Sequence, residues 1–365
     1  MIVNEKHRQS LISMANKLRV AWYSIPTDEK GDPTETYLEY MSLMYDLEIA
    51  ELVQHLDLFP NTQSIVKFSK KVNMDKNELA DKLDELSKRG FIVKLGKQYS
   101  LPTPLFIHDF PFVYAINYTS ENAKKLASLA KKYFYEEGYY KQWETTLNGT
   151  PRSRILTVSE EVDPKDEIVP IEEVYTIIEQ FNEFAVIPCP CRNREEVNGT
   201  RKCKGKYPIH NCLILGPYAK GAMVMGDPVI KAISKEEAKK LMKEASVLGL
   251  VHTTDNKGKN VRLICSCCEC CCGLLSGLTK FDNPRAIGRA NYIANVDKDL
   301  CAGCRTCIER CKFGAITVNE ISEININKCM GCGLCAVTCP EKAITMKRYE
   351  REEIPLEREE IEILK

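Results

Sequence analysis

Apolar residues recur at helical spacing through the first part of the chain. Leu11, Met14, Leu18 and Trp22 fall near every fourth position, which predicts a helical start over residues 1–60. The rhythm then changes. Residues 64–72 predict a short helix, 73–76 a polar turn, and 77–89 a second helix with Leu79, Leu83 and Leu86 on one face and Gly90 as its stop. Residues 91–95 and 98–101 read as two strands joined through Gly96-Lys97.

Helix, turn, helix and hairpin in that order is the winged-helix pattern, and Pro102, Pro104 and Pro111 break the chain after it. Residues 118–140 predict a helix rich in Tyr and Lys, and 145–163 predict extended structure and loop. A helix over 171–184 leads toward the first cysteines. Another spans 234–248, where Ser234 and Glu237 make a capping box and Gly249 a stop. Its buried stripe is Ala238, Leu241, Met242, Ala245 and Leu248. The tail from 347 to 365 is mostly charged and broken by Pro355.

With 365 residues, 44% of them hydrophobic, the chain has material for two or three domains and needs no disulfide staples. Residues 1–20 lack the apolar stretch of a signal peptide, and no run is long enough to span a membrane. The expected location is cytoplasmic, where thiols stay reduced and cysteines act as ligands or catalysts. Fifty-one basic and fifty-one acidic residues cancel, so no global field draws nucleic acid or membrane. In the second helix of the winged-helix pattern, Lys76, Lys82, Lys88 and Arg89 stand against Glu78, Asp81, Asp84 and Glu85. That balance disfavours phosphate contacts and favours a packing or docking role.

The eighteen cysteines organise the rest. Four lie between 189 and 212, six between 265 and 272, and eight between 301 and 339. The last eight fall in a repeat with a 28-residue offset: Cys301, Cys304, Cys307 and Cys311 align with Cys329, Cys332, Cys335 and Cys339. Each half reads C-x2-C-x2-C-x3-C, the run that wraps three irons of a cubane and gives its fourth thiolate to the other cluster. One [4Fe–4S] cluster is therefore expected on Cys301, Cys304, Cys307 and Cys339, and a second on Cys329, Cys332, Cys335 and Cys311. This segment resembles bacterial-type two-cluster ferredoxins over about 295–346. Pro340 follows the pattern, and Lys312 stands where the first half would carry proline. Zinc is the rival reading, but zinc modules separate their cysteine pairs more widely.

The ten earlier cysteines are Cys189, Cys191, Cys203 and Cys212, then Cys265, Cys267, Cys268, Cys270, Cys271 and Cys272. Adjacent side chains diverge along an extended chain, so the six-cysteine run is expected to serve more than one metal site or to leave thiols unused. Ten thiolates suffice for one or two additional iron–sulfur clusters, and zinc is a stronger rival here because Cys-Cys pairs suit d10 ions. The helix over 234–248 can return the chain so that both loops converge on shared sites. Arg192, Lys202, Lys204 and Lys206 are candidates to offset the negative charge. His252 reads as a cluster ligand or as a hydrogen-bonded structural histidine.

Taken together, these segments resemble a family of multi-cluster 4Fe–4S binding proteins of anaerobic bacteria and archaea. The matching residues are 189–192, Cys203, Cys212, 249–252, Asn256 and 265–272. The resemblance covers 170–346 well and the N-terminal third loosely. The common form of the loop has Asn at Ser266 and Gly at Glu269. It implies redox work without naming a substrate.

The expected fold is α+β and multidomain. A helical and winged-helix-like region (1–115) precedes a central α/β Cys-rich domain (116–290), a ferredoxin-like domain (291–346) and a charged tail. The expected function is electron transfer between a redox partner protein and a further cluster in the Cys-rich domain. The alternatives are a reductase with a catalytic cluster at 265–272 and a redox-sensing DNA-binding regulator. No G-x-G-x-x-G or P-loop sequence points to a nucleotide cofactor.

Overall fold

A computed structural model describes residues 1–19, 24–145, 149–158, 162, 172–258 and 261–351. Trp22, residue 171 and the tail beyond 351 lie outside these. Three helices open the chain: α1 (Glu5–Leu18), α2 (Glu35–Ser42) and α3 (Leu47–Val53). Each begins on a polar side chain, Asn4, Thr34 or Asp46, that accepts a backbone N–H of the first turn. Next come β1 (Gln63–Ser64), α4 (Ile65–Val72), α5 (Lys76–Lys88) and the hairpin β2 (Val93–Leu95) and β3 (Gln98–Ser100). β3 pairs with both β1 and β2. The helix, turn, helix and hairpin order is thus present within a residue or two of the expected bounds.

The helix expected over 118–140 is several pieces. After α6 (Pro104–Asp109) come α7 (Ala115–Tyr118), α8 (Ala123–Lys131), a π-helical turn (Lys132–Glu136) and α9 (Tyr140–Glu144). Gly138, at φ +77°, separates the last two. Leu126, Ala130, Tyr133, Phe134 and Trp143 pack into one core with Leu11, Leu38, Phe68 and Leu83. The helical core therefore continues well past residue 115.

The middle of the chain builds a six-stranded sheet. Its elements are β4 (Ser153–Ile155), α10 (Val174–Glu179), β5 (Phe184–Pro188), α11 (Pro190–Val197), β6 (His210–Leu215), α12 (Gly216–Val224), β7 (Lys231–Ile233), α13 (Lys235–Leu248), β8 (Val251–Asp255), β9 (Leu263–Cys267) and α14 (Gly273–Lys280). The strand order is β4-β8-β9-β6-β5-β7 and every pairing is antiparallel, unlike the parallel sheet that an α/β domain implies. The helix expected over 171–184 is also shorter than expected. It ends at Glu179, and the buried run from Phe184 is a strand, because a short apolar run alone does not separate buried helix from buried strand.

Alternation along the strands gives the sheet two different faces. Leu213, Leu215 and Ile264 pack against α10 and α13 through Ile177, Ile178, Ala238 and Met242. Cys212, Cys265 and Cys267 point the other way. α13 has the expected capping box and its αL stop at Gly249. Its buried stripe is completed by Ser246, and Leu248 is exposed, contrary to expectation. Ser246 occupies that place because it hydrogen-bonds His252.

The repeat forms β10 (Tyr292–Val296), α15 (Thr306–Arg310), β11 (Ile316–Val318), β12 (Ser322–Ile324), α16 (Leu334–Val337) and β13 (Ile344–Arg348). The halves interleave: β10 pairs with β13, and β11 with β12. Gly303 lies against the carbonyl of Glu320 and Gly331 against that of Tyr292, at matched positions of the repeat. Both have positive φ, and neither has room for a Cβ.

The module is fastened to the sheet at several points. Arg310 Nη2 donates to the carbonyls of Ser246 and Val247 (2.7 and 2.8 Å), closing the C-terminal end of α13. The buried Glu172 accepts from Asn291 and Arg348 at 2.6 Å each. Among the described residues, no helix is long and apolar enough to cross a membrane.

α9 packs on α14 through a buried carboxyl. Glu144 accepts from Asn283 Nδ2 at 2.5 Å, and its Oε1 has no partner. Burial pushes this carboxyl up to about 8, against the Asn283 hydrogen bond. The folded chain therefore keeps a proton that the unfolded chain releases near 4.5. The stability this contributes is complete below that pH and is lost as pH rises toward 8, with a slope of at most about 1.4 kcal/mol per pH unit. Glu144→Gln should melt above the unsubstituted protein at pH 8 and converge with it near pH 5. Parallel melting curves across that range would mean that Glu144 is already ionised.

Candidate metal centres

The ten central cysteines arrive by different routes. Cys189 caps α11, and Cys191 lies in its first turn behind Pro190. Cys212 is on β6, and Cys265 and Cys267 are on β9. Cys272 caps α14. The register Leu213↔Ile264 places Cys212 beside Cys265, and both belong to the face away from α13. The remaining four come from turns, Cys203 after α11 and Cys268, Cys270 and Cys271 after β9.

These ten divide into two sets. In the first, interactions run round a ring: Cys189 with Cys191 and Cys212, Cys191 with Cys272, Cys212 with Cys265, and Cys267 with Cys265 and Cys272. Hydrogen bonds from Cys191 and Cys212, with Arg192 adding its charge, hold Cys189 well below the usual thiol range. Cys265 and Cys272 bring Cys267 down to about 6. The partners that donate move the other way: Cys191 and Cys212, beside Cys189, are pushed well up, as is Cys265 beside Cys212. Two helix N-termini, those of α11 and α14, meet at this ring and favour its negative charge.

The second set is Cys203, Cys268, Cys270 and Cys271, whose sulfur atoms all lie within 4.8 Å of one another. Hydrogen bonds from Cys270 and Cys271 drive the Cys268 thiol far down, and Cys268 in turn pushes Cys270 up to about 12. The six-cysteine run thus serves two sets, as its crowding suggests. Cys270 and Cys271 nevertheless face the same set, because they lie in a turn where strand alternation does not apply.

Arg192 lies between the sets and is fully buried. Burial opposes its charge, but Cys189, Cys212 and Cys268 outweigh that and raise its proton affinity. Its Nη1 donates to the Ser266 carbonyl at 2.9 Å and its Nη2 to Asn211 Oδ1. Arg192 was among the cations flagged from the sequence, standing in the first turn of α11, three residues after its N-cap Cys189. Arg201, which interacts with Cys203, has no comparable signal because it comes from a loop. Of the flagged lysines, Lys206 lies near Cys270, while Lys204 pairs with Glu196 at 2.7 Å.

His252 is structural. Its Nε2 is 2.8 Å from Ser246 Oγ and its Nδ1 3.3 Å from Ser266 Oγ, so neither nitrogen is left for a metal. Burial takes it down to about 4, so it is neutral. Glu269 Oε1 accepts from Lys312 Nζ at 3.1 Å. These two residues, each a departure from the expected motif, meet across the junction between the cysteine loop and the C-terminal repeat.

In that repeat, Cys301, Cys304, Cys307 and Cys339 line one cavity with Thr306 and Pro340. Backbone N–H groups of Ser322 and Ala343 donate to Cys301 and Cys339 at 3.4 and 3.3 Å, as they would to cluster-bound thiolates. Cys311, Cys329, Cys332 and Cys335 form the second group: burial and then the other three push Cys335 well up. The fourth cysteine of each run thus stands with the first three of the other. Arg305, at φ +66°, takes the left-handed conformation that Gly333 takes in the second half.

The ring and both ferredoxin groups reach into one core. Cys267 and Cys272 share one buried apolar cluster with Cys307, Cys329 and Cys335. On the other side, Val113 and Tyr114 from the helical region pack over Cys189 and Cys212.

The model of the 4Fe-4S binding domain matches residues 294–317 and 322–345, one match for each half of the repeat. Neither a curated protein nor a solved structure matches the chain. The C-terminal repeat is therefore a pair of 4Fe-4S binding domains, and the cysteine-rich region before it supplies further thiols in metal-binding arrangement.

Proposed function

We propose that this chain is an iron–sulfur electron-transfer protein that relays electrons between a redox partner protein and a further cluster held by the ring of six thiols. The two ferredoxin groups hold [4Fe–4S] clusters with the crossed ligand sets described above. The observation that carries the relay is the shared apolar cluster, in which Cys267 and Cys272 of the ring are packed together with Cys307, Cys329 and Cys335 of the ferredoxin groups. Cys304 is exposed, which makes the first cluster the point of exchange with a partner. The ring, by contrast, is covered by the helical region, so its electrons travel through the protein. So many unoxidised thiols suit a reducing compartment such as the cytoplasm.

Anaerobically purified protein should contain clearly more than the roughly eight irons and eight sulfides of two cubanes. Cys191→Ser together with Cys267→Ser should remove the excess while leaving the reduced-ferredoxin resonances in place. An intact chain with about eight irons, unchanged by those substitutions, removes the third cluster and with it the relay.

The winged-helix-like unit serves for packing or partner docking in this reading. Two lysines of this unit are paired within the chain: Lys82 of the second helix is 2.7 Å from Glu48 and 3.3 Å from Glu78, and Lys94 from the hairpin is 2.6 Å from Asp84. Arg89 stacks on Phe91 at 4.3 Å. We expect only weak duplex DNA binding that is indifferent to sequence and disappears at physiological salt. Nanomolar, sequence-selective binding in a gel-shift titration would instead favour a regulator.

A further inference from the structure

The two sets of central thiols differ in spacing, and spacing distinguishes one ion from a cluster. Cys203 Sγ is 3.7 Å from Cys271 Sγ, and Cys271 Sγ is 3.6 Å from Cys270 Sγ. Four thiolates around one ion at a metal–sulfur distance of about 2.3 Å form a tetrahedron with edges of about 3.8 Å. A cubane instead gives each thiolate an iron of its own, which holds the ligand sulfurs apart. The chain carries its own yardstick. Among the described residues, no other group of three or more Cys, His, Asp or Glu side chains is drawn within 4.8 Å in this way. Neither the eight ferredoxin cysteines nor the ring of six meets that measure.

We propose that Cys203, Cys268, Cys270 and Cys271 hold a single zinc ion in a closed tetrathiolate site, separate from the iron–sulfur clusters. Four sulfur donors select a soft or borderline ion, and a full shell with no place for water is the arrangement of structural zinc. Zinc imposes no geometric preference from its d electrons, so it accommodates the neighbouring donors Cys270 and Cys271 on one turn. Binding displaces the remaining thiol protons to solvent and leaves a site of net charge −2. Two guanidinium groups meet that charge, Arg192 at Cys268 and Arg201 at Cys203. Lys280 adds a hydrogen bond to the Cys270 carbonyl at 3.0 Å.

The ion has a definite place in the fold. It ties the turn around Cys203 to the loop between Cys267 and Cys272, and both of those residues belong to the ring. Zinc therefore fixes the loop that presents two of the ring's six thiols, without taking part in electron transfer itself.

The test uses the full-length chain, produced with iron and zinc both supplied and purified without oxygen. Elemental analysis should give one zinc per chain beside the iron. Zinc K-edge absorption should show four sulfurs at about 2.3 Å and no iron neighbour. Cys203→Ser should lower zinc at least several-fold while the ferredoxin signals and their labile sulfide persist. If that variant fails to fold, the zinc edge of the unsubstituted protein decides alone. Three results overturn the proposal: no zinc, a lone iron in its place, or an excess of iron with sulfide that is lost in Cys203→Ser. None of them touches the electron-transfer reading, which depends on the ferredoxin groups and the ring.

Discussion

A guanidinium buried between two groups of thiols is the interaction on which the centre of this protein rests. Thiolates removed from water are costly, and ten cysteines converge here within a few strands. Arg192 answers part of that cost, interacting with Cys189 and Cys212 on one side and Cys268 on the other. It is also a mechanical part. By donating to Asn211, next to Cys212, and to Ser266, between Cys265 and Cys267, it sets α11 against the two strands that carry the ring. Buried cations of this kind stabilise only while their anions are present, so the charge state of the thiols and the position of the helix are coupled.

The sheet gives this arrangement its two-sidedness. With period two, β6 and β9 send aliphatic side chains to α10 and α13 and thiols to the other face. His252 and Ser266 fill the aliphatic side near Met242 with a satisfied polar pair, so a potential ligand is turned away from the metals. The ferredoxin module packs at the edge of this arrangement, sharing an apolar cluster with Cys267 and Cys272. It is held by Arg310 on α13, by Arg348 on Glu172 and by Lys312 on Glu269.

Much of this was legible in the sequence, for identifiable reasons. The repeat and its cysteine spacing encode local geometry directly, and α13 announces both ends through Ser234, Glu237 and Gly249. The convergence of the two cysteine loops also follows from a helix long enough to return the chain. The division of ten cysteines into six and four was not legible, because it depends on which residues of 265–272 lie in β9 and which in the following turn. Residues 118–140 misled because their composition favours helix throughout, while the π-helical turn and Gly138 answer to tertiary packing around Tyr133 and Phe134. The strand at Phe184 misled because a fully buried strand lacks alternation. Glu269 and Lys312 looked like two unrelated departures until the fold placed them 3.1 Å apart.

The interleaved pairing of the C-terminal repeat bears on its ancestry. Each half contributes one strand to each two-stranded ladder, and each half's glycine lies against a carbonyl of the other. An ancestral single copy could satisfy those contacts only with a second identical chain, as a symmetric pair exchanging strands. Within one chain that symmetry is internal, and the two halves need not carry the same side chains. Lys312 and Pro340, matched in the repeat, now do different work: one reaches the cysteine loop and the other lines a cluster cavity.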